Sequence, residues 1–401
     1  MACHAPTLSN GKKNNYRDPA SFYRGNGIGY NTYCSGKEKY LKIAIIGLAN
    51  SGKTTIFNSL TGLNLETTVY PTVASEPHMG VVKVPDRRID TLAGIFSPKK
   101  TTYAAVEYID FIGLTKGDIE QNRKVFDLIK DTDAIVHVVR GFQDESVPHP
   151  LGGVDPGRDA ETVELEMIFG DLELVDKRLE RMEQGAKRGK KPDEKEKSLL
   201  LRCREILEGE KPLRDVAFPD DEQKAMSHLQ FMSIKPQVVL LNVGESDINS
   251  ENTAAALAGL SQYFNGRQVS VLDLCGKIEM EIAQLPADEA VAFLEDLGIK
   301  EPALNKLIHV SYNLLGLLSF LTAGEDEVRA WTIRRGTSAQ KAAGKIHSDI
   351  ERGFIRAEVV SYDDFIAAGS MSAARERGQL RLEGKTYEVQ DGDIINFRFN
   401  V

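Results

Sequence analysis

Gly47-Leu-Ala-Asn-Ser-Gly52-Lys53-Thr54 follows a short apolar run, Lys42 to Ile46 (KIAII), and opens a stretch, Thr54 to Thr61, with the apolar spacing of a helix. The stretch fits Gly-x4-Gly-Lys-Ser/Thr in the context that gives the motif its meaning, after a buried strand and before a helix. Glycines let backbone N–H groups curl around a phosphate, and the helix N-terminus adds its positive end. Lys53 then reaches the β- and γ-oxygens, and the Thr54 hydroxyl is a ligand for Mg²⁺. The residues expected to bind nucleotide are Gly47, Asn50, Ser51, Gly52, Lys53, Thr54 and Thr55. Asn50 is read two ways, as a ligand for a cation such as K⁺ or as a brace for the loop.

Further strand candidates are Gly80 to Val84, Ala105 to Asp110, Ala134 to Val139, Gln237 to Asn242 and Val269 to Leu274, interleaved with helical stretches. That is the pattern of a doubly wound α/β domain. Asp110-Phe-Ile-Gly113 ends one of these strands, where a switch-type NTPase places an Asp that holds Mg²⁺ through water and a Gly whose N–H senses the γ-phosphate. Leu114 stands where a Ras-like protein carries the Gln that orients the attacking water, and an aliphatic side chain cannot do so. Lys53, Gly113 and Leu114 are therefore the residues assigned to the catalytic step or its replacement. The base-reading stretch is Asn242-Val243-Gly244-Glu245. Guanine-specific proteins use Asn-Lys-x-Asp, so Val243 and Glu245 argue against strong guanine selectivity.

Two segments depart from the α/β pattern. From Asp159 to Met226 the chain is charged and helical, with Leu172, Val175, Leu179 and Met182 spaced like a narrow coiled-coil seam. Lys187 to Lys191 (KRGKK) and Pro192 separate this helix from a second, which predicts an antiparallel hairpin with a basic tip. After Pro302, strands at Val328 to Arg334, Ile355 to Val360 and Gln379 to Val401, with a helix at Ser338 to Asp349, suggest a small β-grasp sheet.

Composition agrees with a folded protein of several domains. The 401 residues are 41% hydrophobic and 27% charged, close to globular averages. The net charge of −9 excludes a uniformly basic nucleic-acid-binding surface and leaves room for a local basic patch. Four cysteines without CxxC spacing point to a reducing compartment and no zinc site. Leu314 to Ala323, the most apolar stretch, is too short for a membrane helix. Residues 1–40, rich in Asn, Gly, Ser and Tyr, read as a flexible tail.

Residues 41–401 resemble the YchF-type Obg-like ATPases of the P-loop GTPase class. The resemblance rests on GLANSGKTT at 47–55, on Asn242 to Glu245, and on a closing segment. That segment runs from AGEDEVRAWTIRRG (323–336) through KIHSDIERGFIRAEVVSYDDF (345–365) to RLEGKTYEVQDGDIINFRFNV (381–401), similar to the family's TGS domain. It implies a Ras-like P-loop NTPase core (41–150 and 229–302), an inserted antiparallel coiled-coil hairpin (151–228) and a C-terminal β-grasp TGS domain (303–401). It also implies ATP accepted at least as well as GTP, Mg²⁺ dependence, slow hydrolysis and association with the ribosome. A cytoplasmic monomer without membrane contact is expected. In the family a switch Thr follows Tyr70-Pro71, where this chain has Ala74 between Thr72 and Ser75; its glycine-rich switch, with a catalytic His, is shortened here to Asp118–Lys124. The alternatives to a slow switch ATPase are a nucleotide-binding scaffold without turnover and a guanine-specific GTPase.

Overall fold

The computed structural model describes residues 40–66, 77–265 and 268–400. The expected tail and the stretch containing Ala74 lie outside the described residues, apart from Tyr40. In chain order the elements are β1 (Lys42–Ile46), α1 (Lys53–Thr61), β2 (His78–Lys83), α2 (Arg87–Phe96), β3 (Lys100–Thr102), β4 (Ala105–Asp110), α3 (Ile119–Ile129), β5 (Ala134–Arg140), α4 (Pro156–Lys187), α5 (Glu194–Glu208), α6 (Asp220–Met226), β6 (Gln237–Asn242), α7 (Glu251–Tyr263), β7 (Val269–Leu274), α8 (Gly276–Gln284), α9 (Ala287–Asp296) and α10 (Ala303–Leu314). There follow β8 (Leu317–Ala323), β9 (Glu327–Arg334), α11 (Ala339–Ile346), α12 (Ser348–Arg352), β10 (Phe354–Ser361), α13 (Tyr362–Ala368), α14 (Met371–Glu376), β11 (Arg381–Glu383) and β12 (Asp393–Phe399).

The first sheet has the order β2-β4-β1-β5-β6-β7, parallel except for the β2–β4 pair. Ile43 to Ile46 are fully buried because helices cover both faces of the central strand. From β1 the chain goes to the β2–β4 side of the sheet and then crosses from β4 to β5 on the other side of β1, so the direction of winding reverses and a crevice opens at the C-terminal ends of these strands. The phosphate loop, Gly113 and Asn242 all lie there.

Between β5 and β6 the chain runs out along α4 and back along α5. Asp155 caps α4, accepting the N–H of Arg158, and Pro156 occupies the first turn, where a missing donor costs nothing. Val175 and Leu179 are buried against Leu199, Leu200, Cys203 and Leu207, with Leu172 and Met182 half-buried beside them, so the seam read from spacing is the packed face. At the tip, Lys187, Arg188, Lys190 and Lys191 are exposed. The arm is anchored at its base by buried Asp171, which accepts the N–H groups of Met232 (2.9 Å) and Ser233 (2.7 Å), and by the buried Glu164–Arg214 ion pair.

The second sheet, β11-β10-β12-β8-β9-β3, holds α11 against Phe320, Phe354 and Phe397 through Ala339, Ala342 and Ala343. Three features differ from expectation. Within residues 314–323, read only as too short for a membrane span, Leu317–Ala323 form the strand β8 in the middle of this sheet. The edge strand β3 comes from the nucleotide-binding part of the chain and pairs in parallel with β9, from Lys100↔Glu327 to Thr102↔Arg329. At the boundary expected at 302/303, α10 lies between the two sheets: Leu304, Leu307, Ile308 and Tyr312 pack in one cluster with Ile43, Val238 and Leu272 of the first and with Leu317, Leu321 and Ala330 of the second, whose strands begin at Leu317 in this part of the chain. The terminal run from Gln379 divides into β11 and β12 around the turn at Gly384–Gly392. Among the described residues, no helix is long and apolar enough to cross a membrane.

Glu279 of α8 fixes the start of α10, accepting the N–H groups of Ala303 (2.7 Å) and Leu304 (3.4 Å). Burial pushes its carboxyl up to about 7, against the lowering effect of those two bonds. A folded pKa above the ordinary ~4.3 means that folding favours the protonated form. That contribution is complete below the unfolded value and is lost as pH rises through 7. Glu279→Gln, which cannot ionise, is expected to gain on the parent by on the order of 1–3 kcal/mol between pH 5 and pH 8 in urea unfolding. A stability difference independent of pH contradicts this.

Candidate functional site

At the crevice the end of β1, the start of α1 and the strand ends of β4 and β6 enclose a cleft of about 950 Å³. Gly52 sits at φ +92 as the N-cap of α1, a backbone region that disfavours L side chains, and a Cβ there would collide with the Asn242 amide. Lys53 is buried, and its Nζ donates to the Leu48 carbonyl at 2.8 Å. Burial lowers its pKa to about 8, with nearby Asp110 acting in the opposite direction. A desolvated ammonium that donates to one carbonyl, with a single carboxylate nearby, is short of counter-charge, the condition under which an incoming phosphate is bound most strongly.

Thr54 Oγ1 donates to Asp110 Oδ2 at 2.8 Å. The other carboxylate oxygen, Oδ1, is buried and has no hydrogen-bond partner among the described residues, and burial pushes this carboxyl up. An orphaned carboxylate oxygen beside a threonine hydroxyl, at the mouth of a phosphate loop, is a donor set that suits Mg²⁺. Gly113 packs against the phosphate loop: a Cβ on it would lie 2.6 Å from Ala49 Cα and 3.1 Å from Lys53 Nζ.

Leu114 requires a correction. Its N–H donates to the Gly47 carbonyl at 2.9 Å, and Leu48 and Leu114 form a parallel bridge that carries the β1–β4 ladder past the strand ends. This turns the side chain into the cluster of Leu48, Phe126 and Ile135, where it is fully buried. Bringing it into the cleft would forfeit about 1.5–3 kcal/mol of apolar burial. Leu114 therefore belongs to the packing beneath the site and faces no reacting group.

Asn242 likewise works from behind. Its Nδ2 donates to the Ser51 carbonyl (3.0 Å) and its Oδ1 accepts from Gly276 N (2.9 Å), joining the phosphate loop, the end of β6 and the start of α8. Removing it leaves two buried backbone groups unpaired, at about 1–3 kcal/mol each. Val243 is held by its N–H to Leu274 O, and the Glu245 carboxylate pairs with Lys277. Of the expected residues, Asn50, Gly52, Lys53, Thr54, Thr55, Asp110, Gly113, Asn242, Val243 and Glu245 line the cleft; Gly47 and Ser51 lie under it. Asn50 gives its amide N–H to Pro148 O, bracing the loop as in the simpler of its two readings.

Other cleft residues were not foreseen from the sequence. Phe142, Asp144 and Val147 form a wall held by Arg140, which donates to Phe142 O (3.1 Å), Asp144 O (3.2 Å) and Val147 O (2.9 Å). The available signal was an arginine closing a largely apolar strand, and its guanidinium lies 4.4 Å from the Phe142 ring centroid. Gln121 and Lys124 of α3, His78 of β2 and Met280 of α8 also line the cleft.

Comparison with known proteins covers nearly the whole chain. A family model described as a 50S ribosome-binding GTPase matches residues 42–168, and a YchF-GTPase C-terminal model, described as a protein of unknown function, matches 317–400. The ribosome-binding ATPase YchF of Bacillus subtilis is 44% identical over 364 residues, covering 90% of this chain and 100% of its own. That of Haemophilus ducreyi is 42% identical, over 90% of this chain and 99% of its own. A solved structure of Schizosaccharomyces pombe YchF GTPase matches at a TM-score of 0.76 and 28% identity, again over 90% and 99%. With sequence and fold both matched from the phosphate loop to the C-terminal sheet, the chain belongs to the YchF family.

Proposed function

We propose that the chain is a Mg²⁺-dependent NTP hydrolase that accepts ATP at least as well as GTP, turns it over slowly and acts as a ribosome-associated switch in the cytoplasm, working as a monomer. The observation that carries the reading is the Lys53–Thr54–Asp110 constellation, a desolvated ammonium beside a carboxylate whose outer oxygen lacks a partner. The loop N–H groups and Lys53 would take the β- and γ-phosphates, and Gly113 would meet the γ-phosphate from the other side. Thr54 and Asp110 would hold Mg²⁺, which when bound draws negative charge from the phosphate oxygens. Asn50, with its amide N–H committed to Pro148 O, has its carbonyl oxygen left for a K⁺.

At the base end, guanine offers two donors that call for a free carboxylate, whereas the Glu245 carboxylate is engaged by Lys277. Calorimetric titration with ATP and GTP in Mg²⁺ is expected to give an ATP affinity equal to or above that for GTP. A GTP preference of tenfold, about 1.4 kcal/mol, would overturn this and favour a guanine-specific GTPase.

The names of the bacterial relatives include ribosome binding, and the exposed basic tip of the arm offers an acidic protein such a contact with RNA. Charge reversal at Lys187, Arg188, Lys190 and Lys191 is expected to weaken co-sedimentation with ribosomes, more at low salt than at high salt. Equal pelleting at both salts removes the tip from the interface. Burial of Leu114 favours a second reading, a scaffold that holds ATP without hydrolysing it, because the position after Gly113 supplies no group to the attacking water.

A further inference from the structure

We infer that Glu166, on the arm helix α4, is a positioning residue for the nucleotide site, holding the turn after Gly113 in place for a γ-phosphate; the assignment rests on the reading above in which Gly113 meets that phosphate. Residues 115–118 join β4 to α3, and of these Lys116, Gly117 and Asp118 are exposed, so water competes for their backbone groups. Glu166, half-buried, reaches the turn with both carboxylate oxygens. Its Oε1 accepts Gly117 N at 2.8 Å and its Oε2 accepts Asn122 Nδ2 at 2.8 Å. Hydrogen bonds to a carboxylate are roughly twice as strong as those between neutral groups.

Asn122 of α3 is buried and passes this hold toward Gly113. Its Oδ1 accepts Thr115 N (3.0 Å) and its Nδ2 also donates to Thr115 O (2.8 Å), so both backbone groups of Thr115 are fixed. Leu114, the residue before it, donates its N–H to Gly47 O on the phosphate loop, and the Gly113 carbonyl accepts Gln121 Nε2 at 3.1 Å. The path from Glu166 to Gly113 therefore consists of hydrogen bonds and two peptide links.

The helix that carries Glu166 is a fixed post at this point. Val163 and Met167, on either side of it in sequence, are buried in one cluster with Leu114, Val125 and Phe126. Asp171 and the Glu164–Arg214 ion pair tie the same stretch to the segment leading into β6. Beyond it α4 continues to Lys187, about 30 Å at ~1.5 Å per residue. The base of the arm thus belongs to the nucleotide site while its tip stands far from it. A displacement of α4 that breaks the two Glu166 bonds releases the turn, so a force on the arm is read at the γ-phosphate, and by linkage ATP strengthens the hold on the arm.

The test compares the full-length parent with Glu166→Ala and Glu166→Gln. Glu166→Ala is expected to weaken ATP binding about tenfold and to lower kcat for phosphate release by about 10- to 100-fold. ADP, which has no γ-phosphate for Gly113 to meet, is expected to bind within about threefold of the parent. Glu166→Gln, which keeps an acceptor for Gly117 N, is expected to move the same quantities in the same direction by a smaller factor, and it decides the question if the alanine variant does not fold. Equal losses of ATP and ADP affinity make the residue merely structural and overturn the assignment, as does an ATP affinity within threefold of the parent in Glu166→Ala. If the parent releases no phosphate, the hydrolase reading falls, and the ratio of ATP to ADP affinity still decides for or against Glu166.

Discussion

Lys53→Ala is expected to lower kcat/KM for ATP by about 10³-fold or more, on the order of 4 kcal/mol. The size follows from burial. The ammonium is enclosed with Leu48 O and the Asp110 charge nearby, and water cannot take its place in the closed loop. Truncation removes the γ-phosphate's counter-charge and also leaves the Leu48 carbonyl without its donor. Thermal unfolding should change little beside this, because the charged side chain contributes through its ligand rather than through packing. Steady-state phosphate release and ATP titration on the same preparation check it; activity within tenfold of the parent would contradict the assignment of Lys53.

Gly113→Ala is expected to separate ATP from ADP binding. The added Cβ would stand 2.6 Å and 2.7 Å from the Cα and N of Ala49, closer than packed atoms approach. Neither backbone can yield easily, because the next residue's N–H is bonded to Gly47 O on the same loop. The phosphate loop and the Asp110–Gly113 segment must therefore part at the γ-phosphate end, while the β-phosphate cradle is disturbed less. ATP affinity is expected to fall by roughly 10- to 100-fold and ADP affinity by less than tenfold, with a stability loss of about 1–3 kcal/mol. Equal losses for both nucleotides, measured calorimetrically, would place Gly113 away from the γ-phosphate.

Most of the nucleotide-binding fold was legible because its signals are local. Lys42–Ile46, Ala105–Asp110, Gln237–Asn242 and Val269–Leu274 are apolar runs bounded by breakers, and the structure has strands over those same residues. The hairpin was legible for a similar reason, since a 3-4-3 spacing describes one helix face whatever lies against it. What escaped depends on tertiary pairing. Nothing apolar marks Lys100–Thr102, a three-residue edge that exists only because β9 offers it backbone partners. Pro302 suggested a domain break, yet the helix it begins lies between the sheets, with Leu307 and Ile308 in one cluster with residues of both.

Within the site the same division holds. Motif residues with a conformational duty, such as Gly52, could be placed from the sequence alone. The direction of the Leu114 side chain could not, because it is decided by one hydrogen bond to Gly47 across the sheet. The approach of Gln121 to Gly113 was invisible for the complementary reason: it comes from the turn that folds α3 back onto Gly113, and no spacing rule connects the two. The Phe142–Val147 wall is likewise a product of Arg140 collecting three carbonyls, a tertiary arrangement rather than a local one.

The most direct test is steady-state phosphate release from ATP by the purified full chain in Mg²⁺. Slow release that disappears when the Mg²⁺ is chelated, and that disappears in Lys53→Ala, is the predicted result. No release in Mg²⁺, with ATP binding intact by calorimetry, would contradict the account and identify a nucleotide-holding scaffold.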